Sequence, residues 1–466
     1  MTTLATPRPK LTGMQKWGLV LGIVVFALPL LLDVPGLGSD GQRMLAIFLL
    51  AIVFWVTQPI PLFATATLVI LLEVLLVSSS ALVSTAEGAP SAASFFASLA
   101  NPVIILFLGG FMLADGAAKF GLDSNLAAVF MRPFARSARM LMLGMMLITA
   151  VLSMFMSNTA TTAAMFAVVM PLIAVMPTAK ARTALALSIP VAANIGGMGT
   201  PVGTPPNAIA VGTLAAQGVT ISFVEWMAMA VPFMLVLLLG AWLLLSLWVP
   251  RGAAVSLTME SRFDTSRDAK IFYAVAGATI LLWMTEPLHG VSSSIVGFLP
   301  VVALLSTRVM TGEDLKILDW PVLWLVAGGI ALGDGVGATG LDAWLLGSFD
   351  WQSMSRLAVL AVLVAIGLGM ANVISHSATA NLIIPLAISF SGAIGLDPAM
   401  IAVVLALAAS LGMSMPISTP PNAIAYSTGQ VPLKAMAVVG LVVGISGAVL
   451  LTFAMPTLWQ WTGLLP

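Results

Sequence analysis

Apolar stretches that are candidates to cross a lipid bilayer recur along this chain, at 17–32, 43–57, 61–79, 102–130, 181–217, 225–249, 270–288, 291–307, 320–346, 399–430 and 434–462. A spanning helix needs roughly 20 apolar residues to cover a hydrocarbon layer of about 30 Å. Charge is correspondingly scarce: 8% of the 466 residues are Asp, Glu, Lys or Arg, against 60% hydrophobic. A soluble domain carries about 25% charged residues, so this chain cannot coat a water-facing surface and reads as an all-α integral membrane protein. The 18 acidic and 18 basic residues cancel, which gives nucleic acid no electrostatic reason to bind. No Cys and only two His, 289 and 376, exclude thiol catalysis, disulfides and zinc motifs of the His-Glu-x-x-His kind.

Two further apolar stretches, 140–176 and 357–394, carry polar residues at their midpoints. They read as re-entrant helical hairpins that enter and leave on one side, beside eleven crossings. With a cytoplasmic N-terminus and an uncleaved first helix, fifteen of the eighteen basic residues fall on the cytoplasmic side. Arg43 and Arg356 fall outside and Lys119 lies within a span. That excess is the positive-inside signature, and it places the C-terminus externally. The expected organisation is a segment 1–42 with the first helix, a first repeat 43–250, a cytoplasmic linker 251–270 and a second repeat 271–466.

The repeat is visible by self-comparison. Residues 103–126 read VIILFLGGFMLADGAAKFGLDSNL and residues 322–345 read VLWLVAGGIALGDGVGATGLDAWL. Ser157-Asn158-Thr159 recurs as Ser375-His376-Ser377, and TPPNAIA occurs at both 204–210 and 419–425. Five crossings separate the two hairpins, so the halves are inverted, with the first hairpin opening from the cytoplasm and the second from outside. Inverted repeats with broken helices are the architecture of secondary transporters, whose sites lie where the repeats meet.

Each half breaks its helices twice, at a hairpin tip and at a Gly/Pro segment (196–206 or 412–421). Non-helical backbone survives at membrane depth only where it lines a cavity, and Pro-Pro removes donors and frees carbonyls. Freed carbonyls with Ser, Thr and Asn oxygens suit a small hard cation, and half-helix N-termini suit an anion. Asn207 and Asn422 stand where a helix resumes and are expected to cap it. Asp115 and Asp334 are expected in unwound stretches, each capping the next half-helix. Glu73, near a helix end, is expected to snorkel to the interface.

In the Ser157-Asn158-Thr159 tip, its counterpart at Ser375 and the two TPPNAIA loops, the chain resembles the divalent anion:sodium symporter (DASS) family of di- and tricarboxylate and sulfate transporters. The resemblance covers nearly the whole length. It implies a homodimer in which a transport domain, carrying hairpins and broken helices, slides past a scaffold in an elevator motion. Sodium is the implied coupling ion, and no resident cofactor or catalytic residue is expected. A first sodium site would use Ser153, Ser157, Asn158 and Gly203. A small divalent anion, most simply a C4-dicarboxylate such as succinate, malate or fumarate, would contact Asn158, Thr159, Thr204, His376, Ser377, Thr419 and Pro420. A second cation site would fall at Ser375, His376 and Ser418. There the chain departs from the family: His376 replaces an Asn, Ser377 a Thr, and Ala371 stands where a hydroxyl would match Ser153. A sodium-independent exchanger and a sulfate carrier are the alternatives. A channel would need a pore on a symmetry axis, and an enzyme a nucleophile–base pair that these residues do not supply.

Overall fold

The computed structural model describes residues 11–83, 85–134, 136–174, 176–251, 262–347 and 354–465. Arg8, Lys10 and linker residues 252–261 therefore lie outside the described residues. All regular structure within them is helical. The first half folds into α1 (Gly13–Leu31), α2 (Ser39–Thr57), α3 (Leu62–Leu76), α4 (Ala92–Ala97), α5 (Pro102–Lys119), α6 (Leu122–Met131), α7 (Ala138–Ser153), α8 (Asn158–Ala174), α9 (Ala179–Gly197), α10 (Pro205–Ala216) and α11 (Phe223–Ser246). The second half opens with α12 (Arg267–Met284), α13 (Glu286–His289), α14 (Ser293–Ser306), α15 (Gly312–Lys316), α16 (Trp320–Ala338) and α17 (Leu341–Gly347). It continues with α18 (Arg356–Val373), α19 (His376–Phe390), α20 (Pro398–Ala409), α21 (Pro420–Ser427), α22 (Leu433–Val449) and, after a π-helical stretch, α23 (Met455–Trp461).

Local chemistry explains most helix starts. Thr12 with Gln15 and Ser222 with Glu225 form capping boxes at α1 and α11. Ser137, Thr178, Ser266 and Ser355 each accept a first-turn N–H at α7, α9, α12 and α18. Seven helices among the described residues are long and apolar enough to cross a bilayer: α1, α2, the α4–α5 run, α11, α16, α18 and the α22–α23 run. Expected spans 181–217 and 399–430 are each divided by their Gly/Pro segment, into α9 with α10 and α20 with α21. Large apolar side chains such as Val236, Leu239, Leu243, Ile295 and Phe298 face outward. An exposed apolar surface of this extent suits lipid rather than water.

The acids of the long repeat motif behave differently from the expectation. Helices α5 and α16 run unbroken through Asp115 and Asp334, so neither residue caps a half-helix. The breaks come later, at Gly121 (φ 61°) and Gly340 (φ 69°), where only glycine turns without strain. The second acids of the motif, Asp123 and Asp342, then fall in the first turns of α6 and α17. Negative charge is stabilised at that end of a helix dipole. For the same reason expected spans 102–130 and 320–346 each become two helices.

The halves are not side by side but interlocked. Helix α5 packs on α14 and α16 packs on α3, each pair joining one half to the other. Gly109 sits where an added Cβ would lie 1.8 Å from the Gly297 carbonyl oxygen, and its repeat counterpart Gly328 would meet the Ala66 Cβ at 2.4 Å. Small residues allow this close backbone approach, which in lipid supplies much of the packing energy. The resumed helices cross over too: α10 packs on α19, and α21 on α8.

This packing corrects the reading of Glu73. Its side chain is fully buried, and neither carboxylate oxygen has a hydrogen-bond partner. Oε1 lies so close to Gly335 of α16 that a Cβ there would sit 2.5 Å away, with the Met44 sulfur beside it at 2.8 Å. Helices α2 and α16 cover this part of α3, so no path to the interface exists for the side chain to follow. If Ala66 corresponds to Gly297, the counterpart of Glu73 seven residues on is the fully buried Leu304. An unpaired buried polar group costs about 1–3 kcal/mol. Glu73→Leu should therefore raise the melting temperature of the detergent-solubilised protein. A marked fall would show that the carboxyl has a stabilising partner.

Candidate functional site

The two Gly/Pro segments are the least regular backbone in the protein, and Asn207 and Asn422 hold them in shape. Thr204 and Thr419 are the N-caps of α10 and α21, and Pro205-Pro206 and Pro420-Pro421 occupy the first helical positions. Proline is suited there because those N–H groups have no intrahelical acceptor. The asparagines, one turn in, do not cap. Asn207 Nδ2 instead donates back to the carbonyls of Gly197 (3.0 Å), Met198 (3.3 Å) and Thr200 (2.7 Å). Asn422 Nδ2 donates to Met413 (2.7 Å) and Met415 (3.1 Å). The carbonyls released by the breaks are satisfied by the next helix.

The hairpin tips are built alike. Ser157 Oγ accepts from Ala160 N and Ser375 Oγ from Ala378 N, both at 3.1 Å, which starts α8 and α19. Four helix N-termini, those of α8, α10, α19 and α21, thus open on one cavity of about 160 Å³. Its lining includes Asn158, Thr159, Thr204, His376, Ser377, Thr419 and Pro420, all seven of the residues that the sequence assigns to an anion. Phe107 and Phe111 of α5 and Val322 of α16 form another wall, with exposed Asp319 at the rim. Helix N-termini and hydroxyl donors together favour negative charge without any Lys or Arg among the lining residues.

Beneath the first tip, oxygens converge. Ser153 Oγ lies 2.6 Å from the Asn158 amide and 2.8 Å from the Ala193 carbonyl oxygen. With Nδ2 turned inward, the amide donates to Ser153 Oγ (2.6 Å), Gly203 O (3.2 Å) and Ala193 O (3.3 Å). Turned over, it presents Oδ1 to Ser153 Oγ, so that the hydroxyl, the amide oxygen and the two carbonyls lie close together. Such a neutral hard-oxygen set matches a small monovalent cation. Ser153, Asn158 and Gly203 come together as expected from the sequence, while Ser157 is directed to its helix cap. The Ala193 carbonyl was not foreseeable, because any residue supplies one.

The equivalent place in the second half is differently filled. His376 is buried, and its Nε2 lies 2.7 Å from the Gly412 carbonyl oxygen, so that nitrogen carries the proton and donates. Ser418 Oγ donates to Asn372 O at 3.1 Å, and Asn372 Oδ1 accepts from both the N–H and the hydroxyl of Ser414. Ser375, His376 and Ser418 are each committed to a protein partner. A Cβ on Gly412 would meet the Ala371 carbonyl carbon at 2.4 Å and one on Gly196 the Ala150 carbonyl oxygen at 2.4 Å, so hairpin and break touch in both halves.

Sequence reading missed Asn194, Asn372, Asp319 and the two phenylalanines. Asn194 carries a signal, as a lone amide inside the apolar helix α9. Phe107 and Phe111 carry none, since only tertiary packing brings α5 to the tips.

A helical membrane protein whose four broken-helix N-termini meet in one polar cavity belongs to the class of multi-pass transporters. The profile described as the sodium:sulfate symporter transmembrane region matches residues 14–465, and the chain belongs to that family, the divalent anion:sodium symporters. The sodium-dependent dicarboxylate transporter SdcS of Staphylococcus saprophyticus is 32% identical, over 94% of this chain and 90% of its own. SdcS of Staphylococcus aureus strain MRSA252 is 31% identical, over 95% and 91%. Among solved structures, the Alcanivorax borkumensis YdaH transporter, described as having an unusual topology, shares the fold at a TM-score of 0.54 and 16% identity. The match covers 87% of this chain and 99% of that one.

Removing either asparagine should expose the cost of the breaks. Asn207→Leu leaves the Gly197 carbonyl without a donor, while those of Met198 and Thr200 keep Trp226 Nε1 and Gly203 N, and Asn422→Leu leaves the Met413 carbonyl, at about 1–3 kcal/mol for each group stranded. Both variants should melt below wild type. Wild-type melting in both would mean that water or another donor already serves those carbonyls.

Proposed function

We propose that this protein is a secondary active transporter that moves a small divalent anion, a C4-dicarboxylate such as succinate, malate or fumarate, together with sodium. The observation that carries the reading is the cavity itself: four helix N-termini and neutral donors for an anion, beside an oxygen cluster for a cation. The names of the staphylococcal relatives support dicarboxylate and sodium as cargo. In this reading Asn158, Thr159 and Thr204 bind the anion from the first half, and His376, Ser377, Thr419 and Pro420 from the second. Sodium sits among Ser153, Asn158, Ala193 and Gly203. The protein works as a homodimer in the cell membrane with its N-terminus cytoplasmic and C-terminus external. The hairpins and broken helices move past α5 and α16 as an elevator.

Uptake of labelled succinate into proteoliposomes should depend on an inward sodium gradient. Thr159→Ala, Ser377→Ala and Thr419→Ala should each weaken succinate binding roughly 10- to 150-fold, the loss of a donor worth about 1.5–3 kcal/mol to a charged oxygen. Elsewhere in a membrane helix, side-chain hydrogen bonds average nearer 0.6 kcal/mol. Sulfate uptake that succinate cannot compete would assign the site to the smaller dianion, and normal affinity in all three variants would overturn it.

One observation favours looser coupling. In the second half the His376 N–H donates to the Gly412 carbonyl, so the residue a second cation would draw on is already committed to a backbone partner. We therefore read this transporter as having a single sodium site of full strength, with exchange of dicarboxylates as its limiting behaviour. Sodium activation should be close to hyperbolic, and His376→Asn with Ala371→Thr should make it steeper. Cooperative activation in wild type, unchanged in the double variant, would rule out any such role for His376.

A further inference from the structure

The repeat makes a sharp comparison possible between Thr419 and Thr204, which occupy the same position in the two halves. In the second half a chain of hydrogen bonds has a defined direction. The Met413 and Met415 carbonyls accept from Asn422 Nδ2, which fixes that amide and turns its Oδ1 toward Asn194. Only a donor can answer it, so Asn194 presents Nδ2, 3.1 Å from Asn422 Oδ1 and 3.3 Å from Thr419 Oγ1. Thr419 Oγ1 also accepts from the Asn422 backbone N–H at 3.3 Å. A hydroxyl has two acceptor lone pairs and one proton. With both lone pairs engaged, the proton of Thr419 is left to donate elsewhere, and Thr419 lines the cavity.

The first half has no such device. The TPPNAIA register that aligns Thr204 with Thr419 and Gly197 with Gly412 aligns Asn194 with Ala409, which has nothing to donate. Thr204 accordingly makes no side-chain cap bond, and Asn207 Oδ1, the counterpart of the satisfied Asn422 Oδ1, is buried without a partner. Asn194 itself is 1% exposed, and its own Oδ1 has no donor. A buried orphan carbonyl is costly, so the N–H side of this amide is what the fold uses.

We infer that Asn194 is a positioning residue for the substrate: it holds the Thr419 hydroxyl as a fixed donor toward an anionic oxygen in the cavity, while Thr204 remains a free rotor. This rests on the anion-carrier reading above and adds a residue to it. Pre-orientation matters because a donor that need not be immobilised on binding contributes more of its hydrogen bond to affinity.

The test is a double-mutant cycle on the purified full-length protein, with equilibrium binding of labelled succinate, and of sulfate in parallel, in sodium buffer. Asn194→Ala and the volume-keeping Asn194→Leu should each weaken binding about 4- to 12-fold, the upper part of the range of one modest hydrogen bond. In the Thr419→Ala background the same substitutions should change affinity less than 2-fold, because the group they position is gone. In the Thr419→Ser background, which keeps the hydroxyl, their effect should return. Should neither Asn194 variant purify folded, Asn194→Ser, too short to reach Thr419, completes the same cycle. Additive losses, or wild-type affinity in the Asn194 variants, would overturn the inference. Wild-type protein that binds neither anion would instead remove the functional reading, and this inference with it.

Discussion

Everything in the site depends on how freed backbone carbonyls are satisfied in a medium without water. A Pro-Pro step in a membrane helix strands acceptors whose neglect costs several kcal/mol each. This chain answers with an amide one helical turn further on, twice. Asn207 and Asn422 fold the Gly/Pro segments back on their own helix starts, and that leaves the N-termini of α10 and α21 facing the cavity. The hairpin tips reach the same result with serine caps. Open helix N-termini at the cavity and backbone satisfaction therefore come from one construction.

The two halves then diverge at a few atoms. Beneath the first tip, Ser153 Oγ and the Ala193 and Gly203 carbonyls surround the Asn158 amide. Beneath the second, Ala371 withdraws a hydroxyl and His376 spends an N–H on the carbonyl of Gly412. The amide bridge to Thr419 exists on one side only. An inverted repeat supplies the frame, and a few side chains within it make the two ends of the cavity chemically different.

The motif-bearing parts of this arrangement were legible because they are local. Ser-Asn-Thr and Thr-Pro-Pro-Asn mark the breaks within a turn of chain, and the family resemblance they carry named the cavity-lining residues. What failed depended on distance. Asp115 and Asp334 looked like caps beside their glycines, yet the helices continue for another turn, and the acids eight residues on take the first-turn positions. Glu73 looked free to reach the interface because nothing in α3 says that α16 will lie over it. Asn194 is visible as a polar residue in an apolar helix, but its partner is 225 residues away.

The crossed packing of the halves also has a consequence for how the protein is made. The face of α5 at Gly109 is completed by Gly297, 188 residues later in the chain (297 − 109), and that of α3 at Ala66 by Gly328, later still. At about 5–20 residues per second, α5 waits on the order of 10–40 seconds after its own synthesis for its partner to exist. During that interval its glycine face is open to lipid or to another nascent chain. The early helices must therefore hold as single spans until α14 and then α16 exist to close the two seams.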